Sequence, residues 1–231
     1  MVEDVYRERF ESLVRALKPG SVLDVGCGEG AFVAAASGWA GRAAGVDVDT
    51  LRVRDARGKG LDVIESRAET LPFADGEFDV VVSQYAAHHV VDAAAATREM
   101  LRVARVGALV LDVWYDASIA AQLTMLDVER WSKRIDEDNG MVHRPVVSAA
   151  EIAGAAMDDT RYRTSVEHWL INTVWPFQEI VDFAQKQLTR SKNVERDRAE
   201  WMPLEAAGRR TGFGCEGAIV LTLLKTAGEK R

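Results

Sequence analysis

Three glycines and three carboxylates carry the first chemical signal in this chain. Val22 to Gly30 reads VLDVGCGEG, with Gly26, Gly28 and Gly30 at alternate positions and Asp24 and Glu29 beside them. Glycines so spaced let a backbone turn sharply and lie close to a ligand. Asp47, in GVDVD, follows 21 residues after Gly26, the interval at which a carboxylate can accept both hydroxyls of a ribose. Asp49 is expected to cap a helix instead. His88 and His89 form the second signal, since an imidazole with a pKa of about 6.5 suits a general base near neutrality. His143, next to Arg144 and Pro145, is the rival base or substrate contact. His168 alternates with apolar residues and reads as a core or sheet-face histidine. Cys27 has no partner that would support redox or nucleophilic chemistry, so its expected role is packing inside the loop.

Spacing alone leaves two ligands open. Gly26, Gly28 and Ala31 also satisfy the relaxed dinucleotide fingerprint G-x-G-x-x-A, and a ribose-binding Asp47 serves either ligand. Charge separates them. No Lys or Arg lies in the loop, and a pyrophosphate at a helix N-terminus is disfavoured by neighbouring acids. A ligand with an ammonium and a sulfonium is favoured by them, and S-adenosylmethionine is such a ligand. The rival, an NAD(P)-dependent oxidoreductase, is further opposed by the lack of any Tyr-x-x-x-Lys pair.

The elements that must hold these residues follow from the pattern. From residue 2 to 17, Tyr6, Phe10, Leu13, Val14 and Leu17 recur at helical spacing until Pro19-Gly20. Ser21–Val25 is a short apolar strand running straight into the glycine loop and an Ala-rich helix near 31–37. Arg42–Val48, Leu61–Glu65, Glu77–Ser83 and Ala108–Val113 read as further strands, with helices over 51–57 and 92–103. The histidine pair therefore leaves the carboxyl end of the fourth strand, where open α/β sheets bind ligands. Beyond Tyr115, residues 117–136 and 177–190 read as amphipathic helices, and Ser148-Ala-Ala-Glu151 as a capping box opening a helix to Met157. Arg161–Asn172 is a sixth strand and Glu216–Lys225 a last one with no helix after it. The basic residues Lys186, Arg190, Lys192, Arg196 and Arg198 alternate with acids and read as a solvated helix.

Composition bounds the rest. The chain has 231 residues, 48% hydrophobic and 28% charged, enough for one domain with its own core. Two distant cysteines exclude a disulfide scaffold. The net charge of −7 argues against a nucleic-acid surface. No apolar run reaches the ~18 residues that span a bilayer, and the N-terminus has no signal-peptide core. A cytoplasmic protein is expected.

Taken together, VLDVGCGEG, GVDVD and AETLPFADGEFDVVVSQYAAHHV resemble, in order and spacing, the class I S-adenosylmethionine-dependent methyltransferases. The small-molecule branch that includes the quinone-biosynthesis enzymes is the nearest. The resemblance covers about residues 15–113. It implies an α/β, Rossmann-like fold: a seven-stranded, mostly parallel sheet with helices on both faces, an antiparallel last strand and an inserted helical lid. It also implies that Asp24, Gly26, Cys27, Gly28 and Gly30 lie against the methionine part of the donor. Asp47 would bind the ribose, Val48 would lie on the adenine, Ala68 and Glu69 at its edge, and Ser83 and Gln84 beside the methionine amino group. Many relatives have Asp where this chain has Arg67, so the usual carboxylate to the adenine amino group is missing or supplied by Glu69.

The resulting expectation is one domain over residues 1–231. An N-terminal helix (1–20) precedes a donor-binding core (21–115), and helical insertions at 116–147 and 174–212 form the acceptor pocket. The reaction is methyl transfer by in-line displacement to an O-, N- or C-nucleophile of a small molecule. Tyr6, Trp131 and Trp175 are the candidate pocket residues; His88, His89 and His143 are the candidate bases. No metal site is expected, because the chain has no paired His or carboxylate spacing of the kind a Mg²⁺-dependent catechol-type enzyme needs. The protein would be a monomer or homodimer without nucleic-acid or membrane partners. A protein that binds the donor without transferring it is the alternative outside enzymology.

Overall fold

The computed structural model describes residues 2–226. Along the chain run α1 (Val2–Ala16), β1 (Ser21–Val25), α2 (Ala31–Ala36), β2 (Arg42–Asp47), α3 (Thr50–Gly58), β3 (Val63–Glu65) and β4 (Phe78–Gln84). A short 3₁₀ turn at Ala87–His89 leads to α4 (Ala93–Val103), β5 (Ala104–Trp114), α5 (Ala120–Asp138) and α6 (Ala149–Ala153). Then come β6 (Tyr162–Trp169), β7 (Val174–Trp175), α7 (Phe177–Arg190), α8 (Val194–Thr211), β8 (Phe213–Gly214) and β9 (Gly217–Lys225).

The main sheet has the order β3-β2-β1-β4-β5-β9-β6. β1 to β5 pair in parallel, while β9 lies antiparallel between β5 and β6. The expected seven strands with an antiparallel last strand are therefore present. Parallel strands are covered on both faces and read as continuous apolar runs, and β4 is buried at nearly every position. The pleat sorts those runs into two cores. Val22, Val80, Val82, Leu109 and Leu111 pack on Tyr6, Phe10 and Val14 of α1. Leu23, Val25, Val81 and Val110 pack on Met100 and Leu101 of α4. A third cluster, with Trp131, Ile135, Leu188, Trp201 and Phe213, joins α5, α7 and α8 off the sheet.

Local details agree in part with the reading of the sequence. The capping box at Ser148 and Glu151 is formed, and Asp49 caps α3 by accepting from the Leu51 and Arg52 amides. β5 starts four residues earlier than the apolar run suggested, because Ala104 and Gly107 already pair with Phe78 and Val80. The basic run is not one solvated helix. It breaks at Ser191–Asn193, and α8 opens with Asn193 accepting from the Arg196 amide. Asp197 is fully buried, satisfied by Arg134 at 3.0 Å, Arg196 at 2.7 Å and the Ser191 hydroxyl at 2.5 Å. Charges meant for solvent thus converge on one buried acid. The two-residue pairing of β7 with β8 has no sequence signature.

Candidate functional site

The glycine loop joins β1 to α2 and is tied to β2 by the Gly26 and Cys27 amides, which donate to the Val46 carbonyl at 2.8 and 3.0 Å. Gly26 has φ +78, and a Cβ there would stand 2.4 Å from that of Ala86; only glycine fits. At Gly28, φ +55, a Cβ would meet nothing nearer than the Arg52 guanidinium at 3.5 Å, so this part of the loop borders open space. Asp47 accepts from the Gly28 amide at 2.7 Å and the Asp49 amide at 2.9 Å. A carboxylate has about four acceptor sites, so Asp47 both fixes the loop and retains capacity for hydroxyl groups.

The loop borders a cleft of about 550 Å³, lined by Gly26, Asp47, Val48, Ala68 and Glu69 on one side and His89 and His143 on the other. Glu69 pairs with Arg67 at 3.2 Å. The Cys27 side chain turns away into the cluster of Val33, Val53, Ala56 and Val63, leaving only its backbone at the loop. Burial, with Asp24 and Asp47 nearby, pushes its thiol far above the usual range, so it stays protonated. Glu29 points outward to Lys59 at 3.0 Å, and Arg52 lines the cleft. The acidity assigned to the loop therefore rests on Asp24 and Asp47.

Below the loop lie two buried polar atoms with no hydrogen-bond partner, Asp24 Oδ1 and Gln84 Nε2. They sit near the carboxyl ends of the adjacent strands β1 and β4. Burial raises the Asp24 carboxyl to about 7, with Arg7 opposing and Asp47 reinforcing the shift. An orphaned carboxylate oxygen calls for a cationic donor and an orphaned amide nitrogen for an acceptor. An α-amino acid group carries both complements, so these residues fit the methionine end of S-adenosylmethionine. Ser83 borders Gly26 and Ala68 in a small void of about 30 Å³ beside them.

A second cavity, about 530 Å³, opens under α5 and α7, with Tyr115, Met125, Trp175, Ile180 and Phe183 as apolar wall and Glu129, Glu179 and Glu216 as acids. Tyr85 and His89 line both spaces. Tyr85 holds φ +52, a conformation that costs a non-glycine residue energy and gathers at functional sites. The Leu111 carbonyl accepts its amide at 2.7 Å, and Arg7 stacks on its ring at 4.6 Å.

Two of the expected pocket residues lie elsewhere. Tyr6 is buried in the sheet core, its hydroxyl accepting from the Ile171 amide at 2.7 Å. Trp131 donates to the Asp197 carbonyl at 2.9 Å and packs on Trp201. Each apolar face belongs to a core, and of the three only Trp175 reaches the cavity, its indole donating to Glu216 at 3.2 Å. Tyr85, Tyr115, Met125 and Phe183 were missed; only the place of Tyr85, straight after a strand, could have flagged it.

The histidines converge. His88, His89 and His143 each offer a ring nitrogen, all within 4.8 Å of one another, a grouping that no spacing in the sequence indicated. The loop after α5 makes this possible, because Arg144 donates to the Ala87 and Val90 carbonyls and its amide to the His88 carbonyl. His88 Nδ1 lies 2.5 Å from Asp112, His143 Nδ1 2.7 Å from Asp136, and His89 Nδ1 3.3 Å from the Val142 carbonyl. Burial and the charge of Lys133 push His143 down to about 4; burial and His88 also lower His89. Both are neutral at pH 7. His168 lies apart on β6, stacked on Trp114.

This sheet order with a glycine loop at β1 and an acid ending β2 defines a class I methyltransferase fold. Residues 23–111 match the family model described as a methyltransferase domain. A demethylmenaquinone methyltransferase of Roseiflexus sp. (strain RS-1) is 41% identical over 97 residues, 39% of this chain and 41% of that protein. The uncharacterised methyltransferase YcgJ of Bacillus subtilis is 38% identical over 89 residues, 36% of this chain and 35% of that protein. The chain spans less than half the length of these curated relatives. The crystal structure of YcgJ superposes with a TM-score of 0.60 at 22% identity, covering 90% of this chain and 92% of that one. A geranyl diphosphate C-methyltransferase of Streptomyces coelicolor, solved with Mg²⁺, geranyl diphosphate and S-adenosyl-L-homocysteine, gives 0.54 at 14% identity over 89% of this chain and 73% of that one. Residues 23–111 are therefore similar to the class I S-adenosylmethionine-dependent methyltransferases, and the chain shares their fold.

Proposed function

We propose that this chain transfers a methyl group from S-adenosylmethionine to a small molecule held in the cavity under α5 and α7. The observation that carries the reading is the pair of orphaned atoms on Asp24 and Gln84, beside a loop that Asp47 fixes in place. Asp24 and Gln84 would hold the ammonium and carboxylate of the methionine end, with the Gly26–Gly30 backbone and Ser83 against it. Asp47 would take the ribose hydroxyls, and Val48, Ala68 and Glu69 would border the adenine. The donor supplies an electrophilic methyl on a sulfonium.

The rest of the chain's work is positioning. Holding two reactants in near-attack geometry in a space shielded from water supplies most of what such a displacement needs. Tyr85 and His89 stand where cleft and cavity meet, so the acceptor's nucleophile would enter beside them. Tyr115, Trp175 and Phe183 favour a planar or apolar acceptor body, and the segments 116–147 and 174–212 act as the cover that excludes water. His88, His89 and His143 remain the groups able to take a proton from an acceptor.

Calorimetric titration with S-adenosyl-L-homocysteine, with NAD and NADP in parallel, tests the donor. Micromolar binding of the first alone is expected. Asp47→Ala should weaken it at least about tenfold, or ~1.4 kcal/mol. Binding of a nicotinamide cofactor instead, or an unchanged affinity in the variant, would overturn the assignment.

A further inference from the structure

We propose that His88, His89 and His143 form a binding site for a borderline divalent metal ion, of which Zn²⁺ is the representative, at the junction of the cleft and the cavity. A carboxylate or a carbonyl oxygen only accepts, so the Nδ1 atoms facing Asp112, Asp136 and the Val142 carbonyl must each carry the proton. Nε2 is thereby the nitrogen of each ring left without a protein partner in these contacts, the atom through which an imidazole can bind metal. Metal-bound histidines characteristically donate their other N–H to a carboxylate or backbone carbonyl, which orients the ring and raises its basicity. Here each of the three has such a partner before any ion is considered.

Distance and charge agree. One ring nitrogen of each histidine lies within 4.8 Å of one on each of the others, and Zn–N bonds of about 2.0–2.1 Å place tetrahedral ligands about 3.4 Å apart. Closing that gap takes shifts of about 1 Å, open to His89, which is exposed, and His143, which is half-buried. The nearby Lys133 ammonium is paired with Glu129 at 3.0 Å. Three imidazole nitrogens suit zinc, copper, nickel or iron rather than Mg²⁺, which takes oxygen ligands. Three protein ligands also leave a fourth position open, as in catalytic rather than structural zinc sites. His88 and His89 line the cavity, and His89 and His143 the cleft. The open position thus adjoins the space assigned to the acceptor, and an acceptor bearing a hydroxyl, thiol or carboxylate would complete the coordination. That last step rests on the proposed function; binding of the ion does not.

The test uses the untagged chain, stripped with a chelator, dialysed and titrated with ZnCl₂ against a competing chromophoric chelator. One ion per chain is expected. His89→Ala and His143→Ala should each weaken binding by more than about a hundredfold, beyond what loss of an outer partner costs, with unchanged melting of the metal-free protein. His168→Ala, the remaining histidine of the four, should bind as wild type. Absence of one-to-one binding, or binding that survives the double variant His89→Ala/His143→Ala, would overturn the site. S-adenosyl-L-homocysteine titrated into the metal-free chain reads the donor cleft separately. Nucleoside binding without zinc binding sinks the metal site alone, and the converse sinks the donor assignment alone.

Discussion

The two spaces that meet at Tyr85 and His89 are made of different material. The glycine-loop side of the cleft is made largely of backbone at the carboxyl ends of β1 and β2, with the Gly26, Cys27 and Gly28 amides all hydrogen-bonded to β2 or Asp47. The cavity is made of side chains from α5, α7, Trp175 and Glu216, on elements held together by the off-sheet cluster of Trp131, Trp201 and Phe213. One half has its shape set by the sheet, so it can hold an invariant ligand. The other has its shape set by which side chains happen to line it, so it can be recut for different ligands.

Substitutions should separate the halves. Gly26→Val combines a left-handed φ with a Cβ 2.4 Å from that of Ala86. Overpacking of that kind costs about 1–3 kcal/mol and the φ roughly 1–2 more. It should weaken S-adenosyl-L-homocysteine binding by more than about a hundredfold, since the loop cannot keep its path. Retained affinity in calorimetry would mean that the loop does not shape the cleft. Asp197→Ala should act on the other half. It leaves Arg134 and Arg196 facing each other without their buried acid, costing about 3 kcal/mol in urea unfolding, the low end for a broken buried pair because both guanidiniums keep contact with water. Nucleoside affinity should survive, and a parallel loss would show the halves to be coupled. Burial raises the Asp197 carboxyl, but Arg196, Ser191 and Arg134 outweigh it and hold it below the usual range. Its contribution is therefore present above the unfolded pKa and lost as acid takes the pH down through the folded one.

Asp24 runs the other way. Burial raises it to about 7, so the ligand-free fold favours the neutral form and loses stability as the pH rises from about 4 to 7. A cationic ligand needs the ionised form. Affinity for S-adenosyl-L-homocysteine should fall about tenfold from pH 8 to pH 6, with proton release visible in buffers of different ionisation enthalpy. Asp24→Asn should flatten that profile and melt a few degrees higher at pH 8; a profile unchanged by the substitution would remove Asp24 from the cleft. The smallest effect is expected of Trp175→Phe, which loses the indole bond to Glu216 at about 1 kcal/mol. Nucleoside binding should not change, and a shift would mean that the cavity wall reaches the donor.

The same contrast explains what could be read from the sequence. The glycine-loop side of the cleft is local in the chain: one loop, one acid 21 residues on, one strand end. Apolar runs of period two and a glycine cluster announce such parts directly. The cavity draws Tyr115, Met125, Trp175 and Glu216 from four separated segments, and no spacing connects them. A helical aromatic stripe marked Trp131 as a candidate, and the place of α1 beside the donor core marked Tyr6, but a stripe or a helix position says only that a face is covered. The histidine cluster failed for a related reason. His143 lies 54 residues after His89, and Arg144, which fastens that loop to the 3₁₀ turn, has no signature of its own. Glu29 shows the opposite error: counted as part of the loop's acidity, it pairs outward with Lys59.

The buried acid at Asp197 has a bearing on how this molecule can change over generations. It anchors α5 to α8 through Arg134 and to the start of α8 through Ser191, and it lines neither the cleft nor the cavity. Met125 of α5 and Ile180 and Phe183 of α7 line the cavity. Fastening and selectivity are thus assigned to different residues of one scaffold. A substitution that reshapes the cavity therefore leaves this fastening intact, and the lining can change while α5 and α8 stay joined.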